Sequence, residues 1–443
     1  MLDRRDFVTR IFTPALLAVA ALNPRRALAT AEAALGHTGS AAETASDEAF
    51  WREVQQAFTV DRSLVNLNNG GVSPSPEYVQ EAMARHLAYS NTAPTYAMWQ
   101  VLEPQRETVR ERLARQFGCA AEEVALTRNA SESLQICQLG FDLEGGDEVL
   151  TTTQDYPRMI TTFRQRERRE GIVLKQIAIP IPAEDPAEVV RLFEEHVTPR
   201  TRLILMSHMI NVTGQILPVR EVVRMARRRG IPVVVDGAHT FAHFPFTRDD
   251  LDCDYYGTSL HKWLFAPHGT GMLYVRRDKI AGLWPMMAAP EKLDDDVRKF
   301  EEIGTHPAAN FLAIAEALTF HQGLGPERKA ARLVYLRDRW ARRLIERDIV
   351  RLHTSLEPGL ACGIATVEIA GIDAVELAKH LWDRHRMIVV GIRHPEFQGI
   401  RVSPSVYTTI EEIDRFADVL ESIAERGCVP QGGSRGETCS LPS

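Results

Sequence analysis

The chain predicts an α/β fold: a large domain built on a mostly parallel sheet, followed by a smaller C-terminal α+β domain. Three observations predict it. From about residue 76 to 290, short apolar runs alternate with helical patterns, as in strands joined by crossover helices. Several runs end beside a polar residue, Asp236 and Asn211 among them, and ligands of such sheets sit at the carboxyl ends of strands. At 443 residues the chain is too long for one simple core and suits two domains.

Residues 1–29 read as a twin-arginine (Tat) signal peptide. Arg4-Arg5-Asp6-Phe7-Val8 precedes an apolar stretch from Ile11 to Leu22, and Ala27-Leu28-Ala29 is an A-x-A cleavage pattern. The stretch is too short to span a bilayer, so no stable membrane anchor is expected. Cleavage after Ala29 by this route predicts a periplasmic protein exported by the Tat machinery. Residues 30–46 are small and polar and read as a disordered linker.

Residues 47–75 form an N-terminal segment. It has a helix from near Asp47, an extended stretch from Leu64 to Asn69, and the turn cluster Asn68-Asn69-Gly70-Gly71. Pro74 and Pro76 then open a helix. The large domain spans 76–305, with strands expected at Val124–Thr127, Glu148–Thr151, Ile172–Ile177, Leu203–Ser207, Val233–Asp236, Asp254–Gly257 and Met272–Val275. Val219–Arg229 is one of the intervening helical patterns. The second domain spans 306–427. A helical run from Ala308 to Arg347 breaks near Gly323-Leu324-Gly325-Pro326. Strands follow at Val350–His353, Gly363–Glu368, Ile388–Gly391 and Gly399–Ser403, with helices at Ala374–Arg386 and Ile410–Arg426. The tail, 428–443, reads as loose.

Composition bounds the function. The chain is 44% hydrophobic and 25% charged, with a net charge of -7. That is the profile of an ordinary soluble enzyme and argues against a nucleic-acid partner. The basic run Arg164 to Arg169 is interrupted by Gln165 and Glu167 and reads as a solvated helix face. None of the six cysteines forms a C-x-x-C pair, and no metal site is expected. Cys428 and Cys439 are the candidates for a disulfide.

Chemistry gathers at five places. Thr127-Arg128-Asn129-Ala130-Ser131 ends a strand and opens a helix, where backbone N–H groups and the Ser131 hydroxyl suit a phosphate. Tyr156 follows the next strand and offers an aromatic face. Asn211 offers an amide. Asp236 closes Val233-Val234-Val235, where a carboxylate needs a partner such as a pyridinium; His239 lies one turn on. Lys262 sits in Ser259-Leu260-His261-Lys262-Trp263, before the tight turn Pro267-His268-Gly269-Thr270-Gly271. A lysine amine that condenses with an aldehyde, and an aspartate that keeps a pyridine nitrogen protonated, are what pyridoxal 5'-phosphate needs. Each feature alone has a structural reading: an N-cap, a loop tyrosine, a turn asparagine, a core histidine. Their order at successive strand ends favours the site. Tat export of folded proteins also suits an enzyme that loads a cofactor before leaving the cytoplasm.

These residues resemble the class V aminotransferase family of fold type I pyridoxal-phosphate enzymes, and within it the isopenicillin N epimerase-like group. The resemblance covers about residues 50 to 425 and is most specific at Asn129–Ser133, Asp236–His239 and Ser259–Gly271. It implies that Lys262 carries the cofactor, Asp236 pairs with the pyridine nitrogen, and Asn211 contacts the phenolic oxygen. Tyr156 would stack on the ring. Ala130, Ser131, Ser259 and His261 would hold the phosphate. Gly304-Thr305 resembles a segment that reaches the phosphate of a second subunit, which implies a homodimer. Arg401 matches the arginine that clamps a substrate α-carboxylate. Specificity is expected from Asn68–Val72, with Asn69 as a substrate contact, and from Tyr96–Trp99, Arg393-His394 and Trp263. Unlike cysteine desulfurases, the stretch from Ile388 to Ile400 has no cysteine, and Cys362 reads as core.

The expected activity is chemistry at Cα of a small or peptide-borne amino acid: transamination first, then epimerisation, then C–S lysis. Two rivals are a silent periplasmic binding protein, and another α/β enzyme in which Lys262 only supports phosphate binding.

Overall fold

The computed structural model describes residues 39–429. The twin-arginine region, and the tail beyond 429, lie outside them. The strands are β1 Val65–Asn66, β2 Val124–Thr127, β3 Glu148–Thr152, β4 Val173–Ile177, β5 Thr201–Ser207, β6 Val233–Asp236, β7 Tyr255–Ser259, β8 Gly271–Val275, β9 Val350–Leu352, β10 Ala365–Ile369, β11 Met387–Ile388, β12 Val390–Arg393 and β13 Gln398–Val402.

Seven of them make the central sheet, in the order β2-β8-β7-β6-β5-β3-β4. All neighbours are parallel except β8, which runs antiparallel to both β2 and β7. The carboxyl ends of β2, β3, β5, β6 and β7 therefore share one edge, joined there by the start of β8. Apart from Arg202 near the start of β5, these strands are buried along their length, as expected of a sheet covered on both faces. The covering helices show the matching periodicity. In Val219–Arg227 the buried residues are Val219, Val222, Val223, Met225 and Ala226, mostly at helical spacing.

The second domain is an antiparallel sheet, β12-β13-β10-β9, packed against the helices Ala374–His385 and Ile410–Arg426. Asp373 caps the first, and Thr409 with Glu412 forms a capping box at the second. The helical run breaks at Gly325, whose φ of +88° suits glycine, and restarts at Pro326.

The structure departs from expectation at two places. Part of the 30–46 stretch is ordered: Ala41–Ala45 is a helix with a Ser40–Glu43 capping box. Its composition suggested disorder, but it is anchored by Trp51 Nε1–H donating to the Thr44 carbonyl at 2.6 Å and Arg332 donating to the Ala45 carbonyl at 3.0 Å. The N-terminal segment also joins the second domain, because β1 pairs in parallel with β11 and Asn68 bridges Ser403. Cys428 is disulfide-bonded, while Cys439 lies outside the described residues. Among the described residues no helix is long and apolar enough to cross a membrane.

Candidate functional site

The site lies at the shared carboxyl edge of the sheet. Asp236 ends β6, buried, and Oδ1 accepts from the Ala238 N–H at 2.9 Å. Burial pushes its carboxyl up to about 6 against the lowering effect of that hydrogen bond and of Lys262. Lys262 sits just past β7. Burial pushes its amine down to about 8, with Asp236 opposing and Arg401 reinforcing the shift. The Lys262 Nζ lies 3.0 Å from His239 Nε2. His239 is buried and held well below the ordinary histidine value, first by desolvation and then by the Lys262 and Arg401 charges. A neutral ring with its proton on Nδ1 can accept from the lysine ammonium through Nε2.

The corner expected to hold a phosphate forms where β2, β7 and β8 meet. Gly271 lies opposite both Thr127 and Ser259. Asn129 caps the helix Ala130–Gly140, its side chain accepting from the Glu132 N–H at 2.9 Å. Its amide is thus used for capping, and with the Ala130 N–H bonded to Ser259 Oγ, the start of the helix would meet an anion through Ser131. Ser259 Oγ accepts from the Ala130 N–H at 2.9 Å, and Ser131 is partly buried beside it. His261 lies 3.1 Å through Nδ1 from the Thr270 carbonyl, which orients its ring. Burial and the Lys262 charge push it down to about 4.

Tyr156 enters from the loop after β3. That loop is fixed by Asp155, whose carboxylate accepts from Thr151 Oγ1 (2.5 Å), Thr152 N (2.7 Å), Thr152 Oγ1 (2.9 Å), Ser207 N (2.9 Å) and Ser207 Oγ (2.7 Å). The sequence reading gives Asp155 no role; the run Thr151-Thr152-Thr153 shortly before it is the available signal.

Arg401, on β13, comes from the second domain. It is 7% exposed, donates to the Asn211 carbonyl at 3.0 Å and to Asn68 Oδ1 at 2.8 Å, and its Nε has no partner. Neither of these partners is anionic, and burial pushes its guanidinium down to about 10, with Tyr156 opposing. A buried cation held by neutral groups suits an anionic ligand.

Several expectations are corrected. Asn69 is fully buried and its amide is spent on structure. It donates to the Asn66 and Ser403 carbonyls and accepts from Tyr407 and Asn66. Asn68 is the residue that meets Arg401. Trp263 is buried, with its ring stacked on His243 at 3.6 Å and 9°, a contact inside the core. Arg393 is tied to Asp373 at the surface, whereas His394 reaches the Thr153 carbonyl at 3.0 Å beside the Tyr156 loop. Thr305 is exposed and lies outside this cluster in the single chain. Tyr96 and Trp99 are exposed. Cys362 is a buried core residue as expected, with its thiol pushed up by burial.

The residues fit pyridoxal 5'-phosphate. The amine and the carboxylate are buried together, each shifted toward its neutral form, as expected where a charged ring completes the site. Asn211 Oδ1, His239 Nδ1 and Arg401 Nε are buried without partners. Lys262 and Asp236 would hold the ring, Asn211 its phenolic oxygen, and the β2–β7 corner its phosphate.

Comparison with known proteins agrees. The family model described as aminotransferase class-V matches residues 65–416. The chain is 32% identical to isopenicillin N epimerase of Streptomyces clavuligerus over 390 residues, covering 84% of this chain and 98% of that protein. It is 30% identical to isopenicillin N epimerase of Amycolatopsis lactamdurans, covering 85% and 99%. Among solved structures it resembles an apo cysteine desulfurase from Thermococcus onnurineus NA1, with a TM-score of 0.75, 23% identity and coverage of 85% and 98%.

Proposed function

The chain belongs to the class V aminotransferase family and is a pyridoxal-phosphate-dependent enzyme, and from that premise we propose that it acts at Cα of an amino acid, free or part of a larger molecule, in an aminotransferase-like reaction. The observation that carries the reading is Arg401: a buried guanidinium beside Asn211, held by neutral partners, close enough for its charge to be felt by Lys262 and His239. A bidentate arginine suits a carboxylate. An α-carboxylate on Arg401 sets the adjacent Cα toward the lysine.

The cofactor, when bound, supplies an electron sink for the pair left when Cα loses a proton. Asp236 keeps the ring nitrogen protonated. Lys262 Nζ would take the proton from Cα, and an amine pushed down to about 8 by burial suits that task near neutral pH. His239 Nε2 accepts from the resulting ammonium.

A second reading, epimerisation, is favoured by the likeness to two isopenicillin N epimerases. Sulfur transfer through a persulfide is disfavoured, because the stretch from Ile388 to Ile400 lacks cysteine. We also propose Tat export to the periplasm, supported by Arg4-Arg5 and Ala27-Leu28-Ala29, and a homodimer in which Thr305 serves the partner site.

The test is an absorbance spectrum of the purified protein before and after borohydride, with a peptide map. A visible band lost on reduction, with the adduct on Lys262, supports the reading; no band after adding pyridoxal phosphate overturns it. Amino acids in deuterated water then separate the outcomes. A keto acid marks transamination, and deuterium at an inverted Cα marks epimerisation. Export fails if the protein stays in the periplasm after Arg4 and Arg5 are changed to Lys. The dimer fails if the loaded enzyme has the mass of one chain.

A further inference from the structure

His239 faces Lys262, and a second histidine one turn later holds it there. His243 is fully buried. Its Nδ1 lies 2.7 Å from the His239 carbonyl, and its Nε2 accepts from the Gly363 N–H at 3.0 Å. Those two contacts fix the neutral tautomer with the proton on Nδ1. Its flat face lies on Trp263, the residue after Lys262, with 3.6 Å between ring centroids and 9° between planes. The Trp263 carbonyl in turn accepts from the buried Lys329 amine. His243 thus touches the backbone of the residue facing Lys262, the side chain of the residue following Lys262, and Gly363, just before β10 in the second domain.

Gly363 is shaped for this contact. A Cβ there would lie 3.0 Å from His243 Nε2 and 3.0 Å from Leu333 Cβ. Burial pushes the His243 imidazole down to about 3, and Lys329 and Arg337 reinforce that. The titratable and charged groups facing Lys262 are Asp236, Arg401, His239 and His261.

We propose that His243 is a positioning residue. By bonding the His239 carbonyl and the Gly363 amide while stacking on Trp263, it couples docking of the second domain to the placement of the His239 imidazole against Lys262. The inference rests on the reading of Lys262 as the cofactor-bearing amine. When His243 is removed, His239 loses its hold, the Lys262 ammonium loses a fixed acceptor, and the amine becomes easier to deprotonate.

The experiment follows capture of pyridoxal phosphate by the apoprotein against pH, using the growth of the visible band. The rate reports the unprotonated fraction of Lys262. His243→Leu is expected to move the midpoint to lower pH by about one unit, a tenfold change in the amine equilibrium. His239→Leu should give a similar shift, and the double variant should add nothing further. His243→Asn, which keeps a donor near the His239 carbonyl, should hold the midpoint near that of the parent. If His243→Leu lowers the melting temperature but leaves the midpoint in place, the residue is structural and the proposal fails. It also fails if the two shifts simply add. Should His243→Leu not fold, Gly363→Ala tests the same contact from the other side, and an unmoved midpoint there overturns the coupling. A parent protein that forms no band would instead remove the reading of Lys262.

Discussion

The Arg401 guanidinium donates to Asn68 Oδ1 at 2.8 Å, while the next residue, Asn69, turns its amide into the core. Neighbours in sequence therefore have separate tasks. Asn68→Ala should raise KM for an amino acid roughly tenfold through loss of one bond to a charged group, with little change in melting temperature. Asn69→Ala removes a buried and satisfied amide and should cost about 1–3 kcal/mol of stability. Kinetics and denaturant unfolding on both variants check this. A stability loss confined to Asn68→Ala would reverse the assignment.

Arg401 is a buried cation held by two neutral acceptors. Arg401→Met should leave the apoprotein as stable as the parent or more so, because a desolvated cation is replaced by an unbranched apolar side chain. The same change should weaken amino-acid binding by roughly 2–5 kcal/mol. Arg401→Lys should recover only part of that, since an ammonium lacks the planar fork. Titration of the loaded enzyme with an amino acid, read as a spectral shift, measures the difference.

The pair Asp236 and Lys262 leaves a signature in the stability of the apoprotein. Burial raises the Asp236 carboxyl to about 6, so the folded state keeps a proton that the unfolded chain gives up. Its contribution to stability is present at low pH and lost as pH rises toward 6. Burial lowers the Lys262 amine to about 8. Its contribution is present at high pH and lost as pH falls from the ordinary lysine range toward 8. Together they place a trough between about pH 6 and about pH 8. Asp236→Asn abolishes the acid limb. The stability difference between variant and parent apoprotein should widen from pH 4 to pH 6, by on the order of 2–3 kcal/mol. A constant difference across that range would mean that Asp236 is not desolvated.

Much of this was legible from residues. Val233-Val234-Val235-Asp236 reads as a buried strand ending in a carboxylate, and β6 spans those residues. The order of motifs along the chain placed Ser131, Asn211, Asp236 and Lys262 at one edge, because parallel strands bring their carboxyl ends together. What could not be read was pairing over long separations. Nothing local distinguishes Asn68 from Asn69; the choice is made by Arg401, contributed by the second domain from far along the chain. Trp263 looked like a cleft residue because it follows Lys262, yet its ring meets His243 in the core. The Ala41–Ala45 helix has a local signal in the Ser40–Glu43 capping box, but the contacts that anchor it come from Trp51 and Arg332, which composition does not show.

Gly271 tests whether the phosphate corner is built by close approach of backbones. It lies opposite Thr127 and Ser259, and a Cβ there would come within 2.7 Å of both the Asn129 N and Cα. Those atoms belong to the cap of the helix whose first residue, Ala130, bonds Ser259. Backbone atoms cannot yield as the end of a flexible side chain can, so Gly271→Ala must push the cap away from β8. The expected result is a cofactor affinity weakened at least roughly tenfold, about 1.4 kcal/mol in binding, read by titrating the apoprotein with pyridoxal phosphate. Pyridoxal without the phosphate should be affected much less, because its ring rests on Asp236 and Lys262. Equal losses for both compounds would show that the substitution disturbs the sheet edge as a whole and that the corner has no separate part in holding phosphate.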